Sequence, residues 1–566
     1  MSLTLNLRKK VHRKIWEPLF TPAPVASAAG TIFVSDNLNL GATQDILPSL
    51  PVDTGRQAYY ATGVSSIFWY NKQEEAFGQL PNSGSAGTWG AGAAGYVHPA
   101  GPSFTASAGT TSSFTSTLTM ARNVAGYRFR VTAGTNRGLE GYIRANGFGA
   151  NAVFTTVDTY AVAFDNTSVI QLFTGRFWLY VPGATSGFNY YDYATNAWTS
   201  RSVASGPAIT ANEGCLIGTP AKEAVIELGI ASAGAATTLT DSTRAWEVNA
   251  FARRMVTIVS GTGAGQYRYI ASNTATILTV DAAWATNPDT TSKYEISGLW
   301  SDVASAGSTT TITAGSGTPW TASQWIGQQV RAVAGTGAGQ VSPITANTTS
   351  QLTFGAVTTA FDATTRYVIE PDDNAFWFLG GAAVTLFKYS ISGNTWATIA
   401  PGAARAAAAG AGTSGSWICN VPDIAWNGVG STGGPGGALR QNARYIYSFR
   451  ASAASVLDIY DIAANTWYSG VTYAGATTET FTTGSVWADW NGTIYGQKDA
   501  TGRFFMFNVA RNEMIPLTTN NITQGAAVAG ARLLFDKYFD PTNGRSLNFI
   551  TYLSNTSAQL QRMVLI

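Results

Sequence analysis

Histidine and cysteine are almost missing from this chain of 566 residues, which contains two of each. His12 lies in a basic segment, and His98 lies in a stretch that we interpret as a loop rich in glycine and proline. A copper centre built on several imidazoles, or a nucleophile activated by histidine, therefore lacks its residues. Cys215 and Cys419 are far apart and have no CxxC partner, so we expect no disulfide framework.

Charged residues are also scarce, at 12% of the chain against about 25% in an average protein. The 34 basic and 32 acidic side chains leave a net charge of +2, which provides no overall field for nucleic acid or an anionic membrane. No uninterrupted apolar run reaches the roughly 18 residues of a membrane helix. The start of the chain lacks the pattern of a secretory signal. We expect a protein without a membrane span, made in a reducing cytoplasm.

Glycine and aromatic residues are abundant, with 60 Gly and 12% Phe, Trp and Tyr together. Long helical stripes of apolar residues are rare, whereas short apolar runs bounded by Gly, Asn, Asp and Ser are frequent. This composition favours pleated strands joined by tight turns. The sequence therefore predicts an all-β protein.

A short aromatic motif recurs along the chain. Its clearest copy consists of Tyr191, Asp192, Asn196 and Trp198. Two further copies keep the same offsets: Tyr389, Asn394 and Trp396, and Tyr460, Asp461, Asn465 and Trp467. Altered copies occur at Phe507, Asn508, Asn512 and Met514, and at Tyr70, Asn71 and Phe77.

The residue types in this motif indicate a β-hairpin with a structural role. The Asp side chain accepts hydrogen bonds from backbone groups ahead of it and opens a turn. The Asn five residues after the Tyr suits a left-handed turn position. The Trp begins the next antiparallel strand, and we expect its ring to be buried between neighbouring sheets. Several such hairpins in one chain predict radial repetition.

A hydrophobic strand, a Tyr-Asp turn and a Trp in this order resemble the kelch repeat of β-propellers, in which a glycine pair also marks each blade. Gly380 and Gly381 supply that pair in one copy, and most copies lack it. The resemblance covers residues 55–100, 174–225 and 372–566. It implies a ring of about six blades, and residues 31–34 are expected to complete the sixth.

A second repeat interrupts the propeller pattern three times. Its marker is Ser-Gly-Thr-Gly-Ala-Gly-Gln at 260–266, Ala-Gly-Thr-Gly-Ala-Gly-Gln at 334–340 and the divergent Ala-Gly-Thr-Asn-Arg-Gly-Leu at 133–139. A phosphate-binding loop would need a Gly-Lys-Ser or Gly-Lys-Thr sequence, and a dinucleotide site would need a helix after the glycines. Strands follow instead, so we interpret the run as a hairpin turn in a small β module.

These patterns divide the chain into seven segments. They are an N-terminal basic arm (1–30), a first part of the propeller (31–108), a first inserted module (109–174), a second part of the propeller (175–233), a second module (234–298), a third module (308–370) and the remaining blades (371–566).

The basic arm contains the candidate assembly residues. They are Arg8, Lys9, Lys10, Arg13, Lys14, Trp16 and Phe20. The positive charges repel one another in an isolated subunit and would gain from an acidic neighbour, while the aromatic rings would bury apolar surface. We expect the arm to reach an adjacent subunit or tail component. Local packing of its aromatic residues against a neighbouring surface is the simpler alternative.

We expect a binding or structural protein with no enzyme activity, no cofactor and no metal. Carboxylate pairs of the kind glycosidases use occur at Glu74 with Glu75 and at Asp372 with Asp373, and we interpret both as solvated loops. An enzyme acting on host polysaccharide is therefore the third hypothesis. Low charge and many aromatic residues are typical of surfaces buried against partners.

The repeated Gly-Thr-Gly-Ala-Gly-Gln module is similar to small β repeats of bacteriophage tail, neck and fibre proteins. Modules inserted into a propeller also resemble the tail nozzle proteins of short-tailed phages. The resemblance implies a virion structural protein, made in the host cytoplasm, that forms a sixfold ring. Its implied partners are copies of itself, adjacent tail, adaptor or fibre proteins, and DNA in passing. A receptor- or glycan-binding tail appendage is the alternative.

Overall fold

The computed structural model of the chain describes residues 100–180, 187–207, 225–297, 299–372, 374–380 and 385–405 continuously, and shorter stretches between 33 and 98, at 214–218 and between 417 and 565. Every regular element in these residues is a β-strand, and almost all paired strands run antiparallel. The prediction of an all-β protein is confirmed.

Six antiparallel sheets follow one another along the chain, and consecutive strands pair within each. Sheet 1 contains Phe33–Ser35, Gln57–Thr62, Ser66–Asn71 and Ala76–Gln79. Sheet 2 contains Ala94–His98, Arg176–Tyr180, Phe188–Asp192 and Ala197–Ser200. Sheet 3 contains Gly214–Gly218, Ala375–Gly380, Leu386–Ser390 and Thr395–Thr398.

The remaining three sheets vary this plan. Sheet 4 contains Trp417–Asn420, Tyr445–Phe449, Val456–Asp461 and Thr466–Thr472, and a separate ladder joins Ile424–Ala425 to Arg440–Gln441. Sheet 5 contains Val486–Trp490, Thr493–Gln497, Phe504–Asn508 and Glu513–Leu517, and Ala474–Gly475 pairs in parallel with its last strand. Sheet 6 contains Arg532–Asp540, Arg545–Leu553 and Leu560–Leu565.

The first strands of the six sheets contact one another in a closed circle. Each first strand touches the first strand of the next sheet, and Phe33–Ser35 touches Arg532–Asp540 to complete the circle. Phe33–Ser35 pairs with Gln57–Thr62 and therefore begins sheet 1. The expectation that this early segment completes the sixth sheet is wrong, because its hydrogen-bonding partner is the next strand in the chain.

The cores of these sheets lie between neighbours. Phe376 and Phe378 face sheet 2, whereas Trp377 and Leu379 face sheet 4. Alternate side chains of a strand point to opposite faces, so a strand buried on both sides must be apolar at every position. The Phe-Trp-Phe-Leu run of sheet 3 follows this rule, and the fully buried strand Tyr445–Phe449 of sheet 4 follows it except at Ser448, whose hydroxyl is hydrogen bonded to Arg405.

Three further β units have one common strand order. Module 1 contains Ser103–Thr105, Ala108–Gly109, Ser113–Thr115, Arg128–Ala133, Glu140–Asn146, Val153–Thr156 and Val169–Leu172. Module 2 contains Val225–Ile230, Ala233–Ala235, Thr238–Thr240, Met255–Ser260, Tyr267–Asn273, Ile277–Val280 and Lys293–Ser297. Module 3 contains Trp300–Gly307, Thr311–Ala314, Gln328–Ala334, Val341–Asn347, Gln351–Phe354 and Arg366–Pro371.

Module 3 is a closed barrel in which Trp300–Gly307 pairs with both the second and the last strand. In modules 1 and 2 the equivalent first strand is divided in two, and each half pairs with one of those neighbours. The sequence pattern predicts that the modules begin at residues 109, 234 and 308. In the structure the first strand of each module lies partly or wholly before that residue. Each module has its own apolar core.

The modules leave the ring at one end. Module 1 follows the first strand of sheet 2, and modules 2 and 3 follow the first strand of sheet 3 in tandem. In an antiparallel meander the connections after the first and third strands lie at the same end. The Tyr-Asn-Trp turns connect third to fourth strands, so the modules and these turns share one end of the ring.

The Trp residues of the three best motif copies occupy equivalent positions. Trp198, Trp396 and Trp467 each lie opposite the Tyr of their own motif. Trp396 packs against Tyr180 and Phe188 of sheet 2, and Trp467 packs against sheet 3. Trp198 is only half-buried, unlike the other two, so the expectation of a buried ring is confirmed for Trp396 and Trp467 and is wrong for Trp198.

Replacing Trp396 or Trp467 with Ala is expected to lower the free energy of unfolding by about 3–5 kcal/mol, since each removes a large aromatic ring from between two sheets. Trp198→Ala is the matched control in the same motif and should cost less. Denaturant unfolding monitored by circular dichroism measures all three. Equal losses at the buried and half-buried positions would contradict the packing described above.

Candidate assembly site

The candidate assembly residues Arg8, Lys9, Lys10, Arg13, Lys14, Trp16 and Phe20 lie outside the described residues. The contacts that hold one described β unit against the next fall into two groups. One group joins neighbouring sheets through the Tyr-Asn-Trp turns. The other joins the three modules to one another.

The Tyr and Asn of each motif are hydrogen bonded. The hydroxyl of Tyr191 donates to Asn196 Oδ1 at 2.6 Å, and the Tyr389–Asn394 and Tyr460–Asn465 pairs do the same at 2.7 Å. All three Asn residues have φ between 49° and 54°, the left-handed conformation that the sequence predicts. Asn adopts this conformation more readily than most residues.

The Asp of the motif opens the turn, as its residue type predicts. Asp192 Oδ1 accepts the backbone amides of Ala194 and Thr195. Asp461 Oδ1 accepts the equivalent amides of Ala463 and Ala464. Each carboxylate therefore satisfies two backbone donors that the turn removes from the strand ladder.

The same Asn residues also join their sheet to the sheet before it. Asn394 Oδ1 accepts the backbone amide of Ser202, which follows sheet 2, at 2.9 Å. Asn465 Nδ2 donates to the carbonyl of Ala400, which follows sheet 3, at 3.0 Å. This second contact connects residues far apart in sequence, and the local turn pattern carries no signal for it.

Arg122 of module 1 makes the equivalent contact in sheet 2. Its Nη2 lies 3.2 Å from Asn196 Oδ1, and its guanidinium lies 5.5 Å from the ring centre of Tyr193. The amide of Ala121 donates to the carbonyl of Ala194 at 2.9 Å. Tyr193 and Ala194 are part of the module 1 core. Module 1 is thus fixed to the turn of the sheet into which it is inserted.

Sheet 5 carries a natural variation of the motif. Phe507 stands where the other copies have Tyr, and Met514 lies opposite it in place of Trp. Asn512 keeps the left-handed conformation, with φ of 51°, and its Nδ2 donates to the carbonyl of Thr472 in sheet 4. Phe507 has no hydroxyl, so the Tyr-Asn bond cannot form in this copy.

We expect Tyr389→Phe to lower the free energy of unfolding by about 1 kcal/mol and Phe507→Tyr to raise it, since one removes and the other supplies the Tyr-Asn hydrogen bond. Thermal or denaturant midpoints of the two variants and of the double variant measure the effect. Destabilisation by Phe507→Tyr would contradict the structural equivalence of sheets 3 and 5.

The Gly-Thr run of each module forms a turn held by an Asp-x-Thr segment. In module 2 the hydroxyl of Thr262 donates to Asp289, and Thr291 donates to the same carboxylate. Gly261 has φ of +80°, and a Cβ there would lie 2.0 Å from the carbonyl oxygen of Thr291, so only glycine fits. The turn has a packing role rather than the geometry of a phosphate loop.

Equivalent bonds occur in the other modules. In module 1, Thr167 and Thr135 donate to Asp165, and these hydroxyl bonds lower the pKa of that carboxyl to about 2. In module 3, Thr364 bonds Asp362 and lowers its pKa in the same way. The repeated hydrogen bonds explain why the Gly-Thr run and the later Asp-x-Thr segment occur together in the sequence.

Another repeated side chain connects a loop to a strand in each module. Asn146, Asn273 and Asn347 accept a backbone amide at Oδ1 and donate to a backbone carbonyl at Nδ2. The amides belong to Val124, Phe251 and Trp325. Each lies in the long loop that precedes the strand Arg128–Ala133, Met255–Ser260 or Gln328–Ala334 of its module. The sequence places an Asn at each of these turns without indicating this bridging role.

A buried cluster of charges joins modules 1 and 3. Arg331 Nε and Nη2 each lie 3.0 Å from the Glu370 carboxylate, and Arg331 Nη1 lies 3.2 Å from Glu140 Oε1 in module 1. Arg130 bonds Glu140 and lies 3.7 Å from Glu370. Arg128 lies 3.8 Å from Glu140. Three guanidinium groups therefore surround two carboxylates between the modules.

Module 2 also contacts both module 1 and module 3. A Cβ on Gly265 would lie 2.6 Å from Val157 of module 1, so this glycine permits close approach. The amide of Ser301 donates to the carbonyl of Arg253, and Arg366 of module 3 pairs with Asp281. The three modules are consequently packed as one unit.

The cluster sets the ionisation of its carboxyl groups. Burial alone would raise the pKa of Glu140, but Arg331, Arg130 and Arg128 more than offset it and hold the pKa far below its ordinary value of 4.5. The pKa of Glu370 is also lowered, because Arg331 and Arg130 outweigh its burial. Both groups thus stabilise the folded state above their unfolded pKa, and this stabilisation is lost as the pH falls below about 4.5.

Arg331→Met is expected to destabilise the contact between modules 1 and 3 by about 3–5 kcal/mol, because it leaves two buried carboxylates without their main partner. Hydrogen exchange of Glu140–Asn146 and Gln328–Ala334 measures this locally. A variant that adds Glu140→Gln and Glu370→Gln should recover part of the protection and lose its acid sensitivity. Unchanged exchange in Arg331→Met would contradict the assigned role.

Two of the candidate chemical residues, His98 and Asp372, lie within the described part of the chain. His98 ends the first strand of sheet 2 rather than lying in a loop, and its buried ring accepts the amide of Ala100 and meets Phe376 edge-on. Asp372 accepts the amide of Asn374. His12, Glu74, Glu75 and Asp373 lie outside the described residues.

The described part of the chain contains neither a metal-binding cluster nor a membrane-spanning helix. Its residues include no group of His, Cys, Asp and Glu side chains that could hold a metal ion. They also include no helix long and apolar enough to cross a membrane.

No protein-family model matches the chain, and no curated protein matches it. Among solved structures, an auxiliary nutrient binding protein from Bacteroides thetaiotaomicron VPI-5482 is 7% identical, with 83% of this chain and 97% of that chain covered and a TM-score of 0.22. The mitotic checkpoint complex is 7% identical, with 96% and 98% covered and a TM-score of 0.26. Similarities this low carry no argument about fold or function.

Proposed function

We propose that the chain is a structural protein of a bacteriophage virion, a ring component of the tail or neck similar to a tail nozzle. Six copies assemble into a conduit, and adjacent tail, adaptor or fibre proteins bind to it. DNA passes through the conduit without base-specific recognition. The protein is made in the host cytoplasm and functions in the virion, without catalysis.

The observation that carries this proposal is the combination of six sheets in a circle with three modules at one end. In the proposal the sheets are blades of a kelch-like β-propeller, since neighbouring sheets bury aromatic faces against each other and the first strands line the centre. The modules form a projection whose orientation is set by Arg122 and by the cluster around Arg331.

Rigid attachment of the modules suits an assembly protein. A contact surface made of several units presents one shape only if the units are fixed relative to one another, and this lowers the entropy lost on binding. The low charge of the chain favours the same function, because surfaces buried against partners are depleted of Lys, Glu and Asp.

The basic arm supplies a contact between copies in this proposal. Arg8, Lys9, Lys10, Arg13 and Lys14 attract an acidic surface of the neighbouring subunit or of the tail component above, and Trp16 and Phe20 bury apolar area there. Such a contact weakens as salt screens its charges.

Changing these five basic residues to Gln is expected to abolish the salt-dependent part of self-association while leaving the fold intact. Sedimentation across salt concentrations and negative-stain imaging of the purified protein measure ring formation. The wild-type chain should form sixfold rings that dissociate at high salt, and Trp16→Ala with Phe20→Ala should weaken them at every salt concentration. Rings of the Gln variant with unchanged salt dependence would contradict the arm's role.

A receptor- or glycan-binding tail appendage is the second candidate function. Phe148 and Val153, on one hairpin of module 1, are 65% and 50% exposed, and Val248 of module 2 is 66% exposed. Exposed apolar side chains of this kind can stack on sugars or contact a host receptor. A trimeric particle that binds host glycan, with binding lost in Phe148→Ala, would favour the appendage over the ring.

A further inference from the structure

The bridging asparagine of module 1 is followed directly by a glycine. Asn146 and Gly147 lie at the end of the strand Glu140–Asn146, whereas the equivalent asparagines of modules 2 and 3 are followed by Thr274 and Thr348. An asparagine before glycine is prone to deamidation, because glycine has no side chain to hinder attack by its amide nitrogen. Among the described residues, only module 1 contains such a pair.

Deamidation of this pair needs water as its co-reactant. The amide nitrogen of Gly147 loses its proton and forms a bond to Cγ of Asn146, and the side-chain nitrogen of Asn146 leaves as ammonia. The product of this step is a cyclic succinimide. Water then opens the ring at either of its carbonyl groups and gives aspartate or isoaspartate. The net change replaces an amide by a carboxylic acid, and nothing is oxidised or reduced.

The fold engages both reacting groups in other contacts. The amide of Gly147 donates to the carbonyl of Val153 at 2.9 Å. Asn146 Oδ1 accepts the amide of Val124 at 2.7 Å, and Asn146 Nδ2 donates to the carbonyl of Arg122 at 3.0 Å. A hydrogen-bonded amide exchanges its proton mainly when its segment opens. The reaction therefore requires the hairpin and the loop bonded to it to open first.

The product of the reaction is unable to restore these contacts. Asn146 Nδ2 donates both to the carbonyl of Arg122 and to that of Gly147, which lies 2.7 Å away. A carboxylate in this place has no proton to donate. It would instead face two carbonyl oxygens that have lost their donor, which is costly in a partly buried site.

The same asparagine positions the loop that attaches module 1 to the ring. Asn146 bonds the backbone of Arg122 and Val124, which lie in the loop of residues 116–127. The side chain of Arg122 bonds Asn196 in the turn of sheet 2. Loss of the asparagine bridge consequently frees the residues that fix the module to this sheet.

We propose that Asn146–Gly147 is a deamidation site that the fold protects and that releases module 1 from sheet 2 irreversibly once it has reacted. Modules 2 and 3 have the same bridge at Asn273 and Asn347 but no glycine after it. Their transient opening leaves no lasting change, whereas opening of module 1 is recorded in the covalent structure of the chain.

Peptide mapping by mass spectrometry measures the amide and acid forms of residue 146. We expect conversion in the folded wild-type chain to be slower than in the urea-unfolded chain by about tenfold or more. Gly147→Thr copies modules 2 and 3, and a Cβ at this position would lie 3.6 Å from its nearest neighbour, so it fits. This variant should react slowly in both states. Equal rates for the folded and unfolded wild-type chain would overturn the proposal.

Arg122→Ala tests whether docking of the loop protects the site. This variant loses the contact with Asn196, and we expect conversion in the folded chain to accelerate by about tenfold. Arg144→Ala is the matched control in the same module, because its guanidinium bonds the carbonyls of Thr156 and Val157 instead. It should leave the rate unchanged. An unchanged rate in Arg122→Ala would show that docking and protection are not linked, against the proposal.

Asn146→Asp reproduces one product of the reaction and tests the release of the module. We expect faster hydrogen exchange at the amide of Ala121, which donates to the carbonyl of Ala194 in the turn of sheet 2. Asn273→Asp removes the equivalent donor from module 2 and should leave exchange at Ala121 unchanged. Full protection of Ala121 in Asn146→Asp would mean that the module stays attached after deamidation, and the proposed release would be wrong.

Discussion

Burial of sheet faces against neighbouring sheets, described for sheets 2 to 5, is the constraint on which the rest of the structure depends. Strands that pack on both sides must be apolar at successive positions, and in sheet 3 Phe376 and Trp377 face opposite neighbours. Large aromatic rings, such as those of Trp178, Phe376 and Trp396, fill the space between neighbouring sheets. The scarcity of charge and the wealth of Trp, Tyr and Phe are consequences of this arrangement.

Aromatic packing alone does not define the angle at which one sheet meets the next, because apolar contact is not directional. The Asn of each Tyr-Asn-Trp turn adds direction. Its side chain bonds the Tyr of its own sheet and the backbone that leaves the preceding sheet, as at Asn394. In sheet 2 the second partner of the motif Asn is Arg122 of module 1, which bonds Asn196 in place of that backbone. The motif Asn that orients the other sheets therefore also holds the inserted module.

The modules use a different means of orientation. Each has its own apolar core, and charged side chains lie between them. A buried ion pair contributes little net stability compared with an apolar contact, but it is costly to leave incomplete. Arg331 meets Glu140 and Glu370 in only one docking geometry. The cluster therefore restricts the modules to one arrangement, which is what a fixed projection on an assembled ring would need.

The sequence by itself determined the features that depend on residues close together in the chain. The all-β class, the left-handed Asn at positions 196, 394 and 465, and the turn opened by Asp192 follow from local chemistry, since their hydrogen bonds span only a few residues. The three modules were recognisable because the Gly-Thr run demands a backbone that only glycine adopts.

Only the tertiary structure decided which units are neighbours. It assigned Phe33–Ser35 to sheet 1, left Trp198 half-buried, and brought Arg331 to Glu140 from a separate module. The sequence around a charged residue in a strand does not indicate which partner that residue will contact. The sequence around an aromatic residue does not indicate how deeply its ring will be buried. Both depend on contacts between segments that are distant in the chain, and the folded arrangement alone creates those contacts.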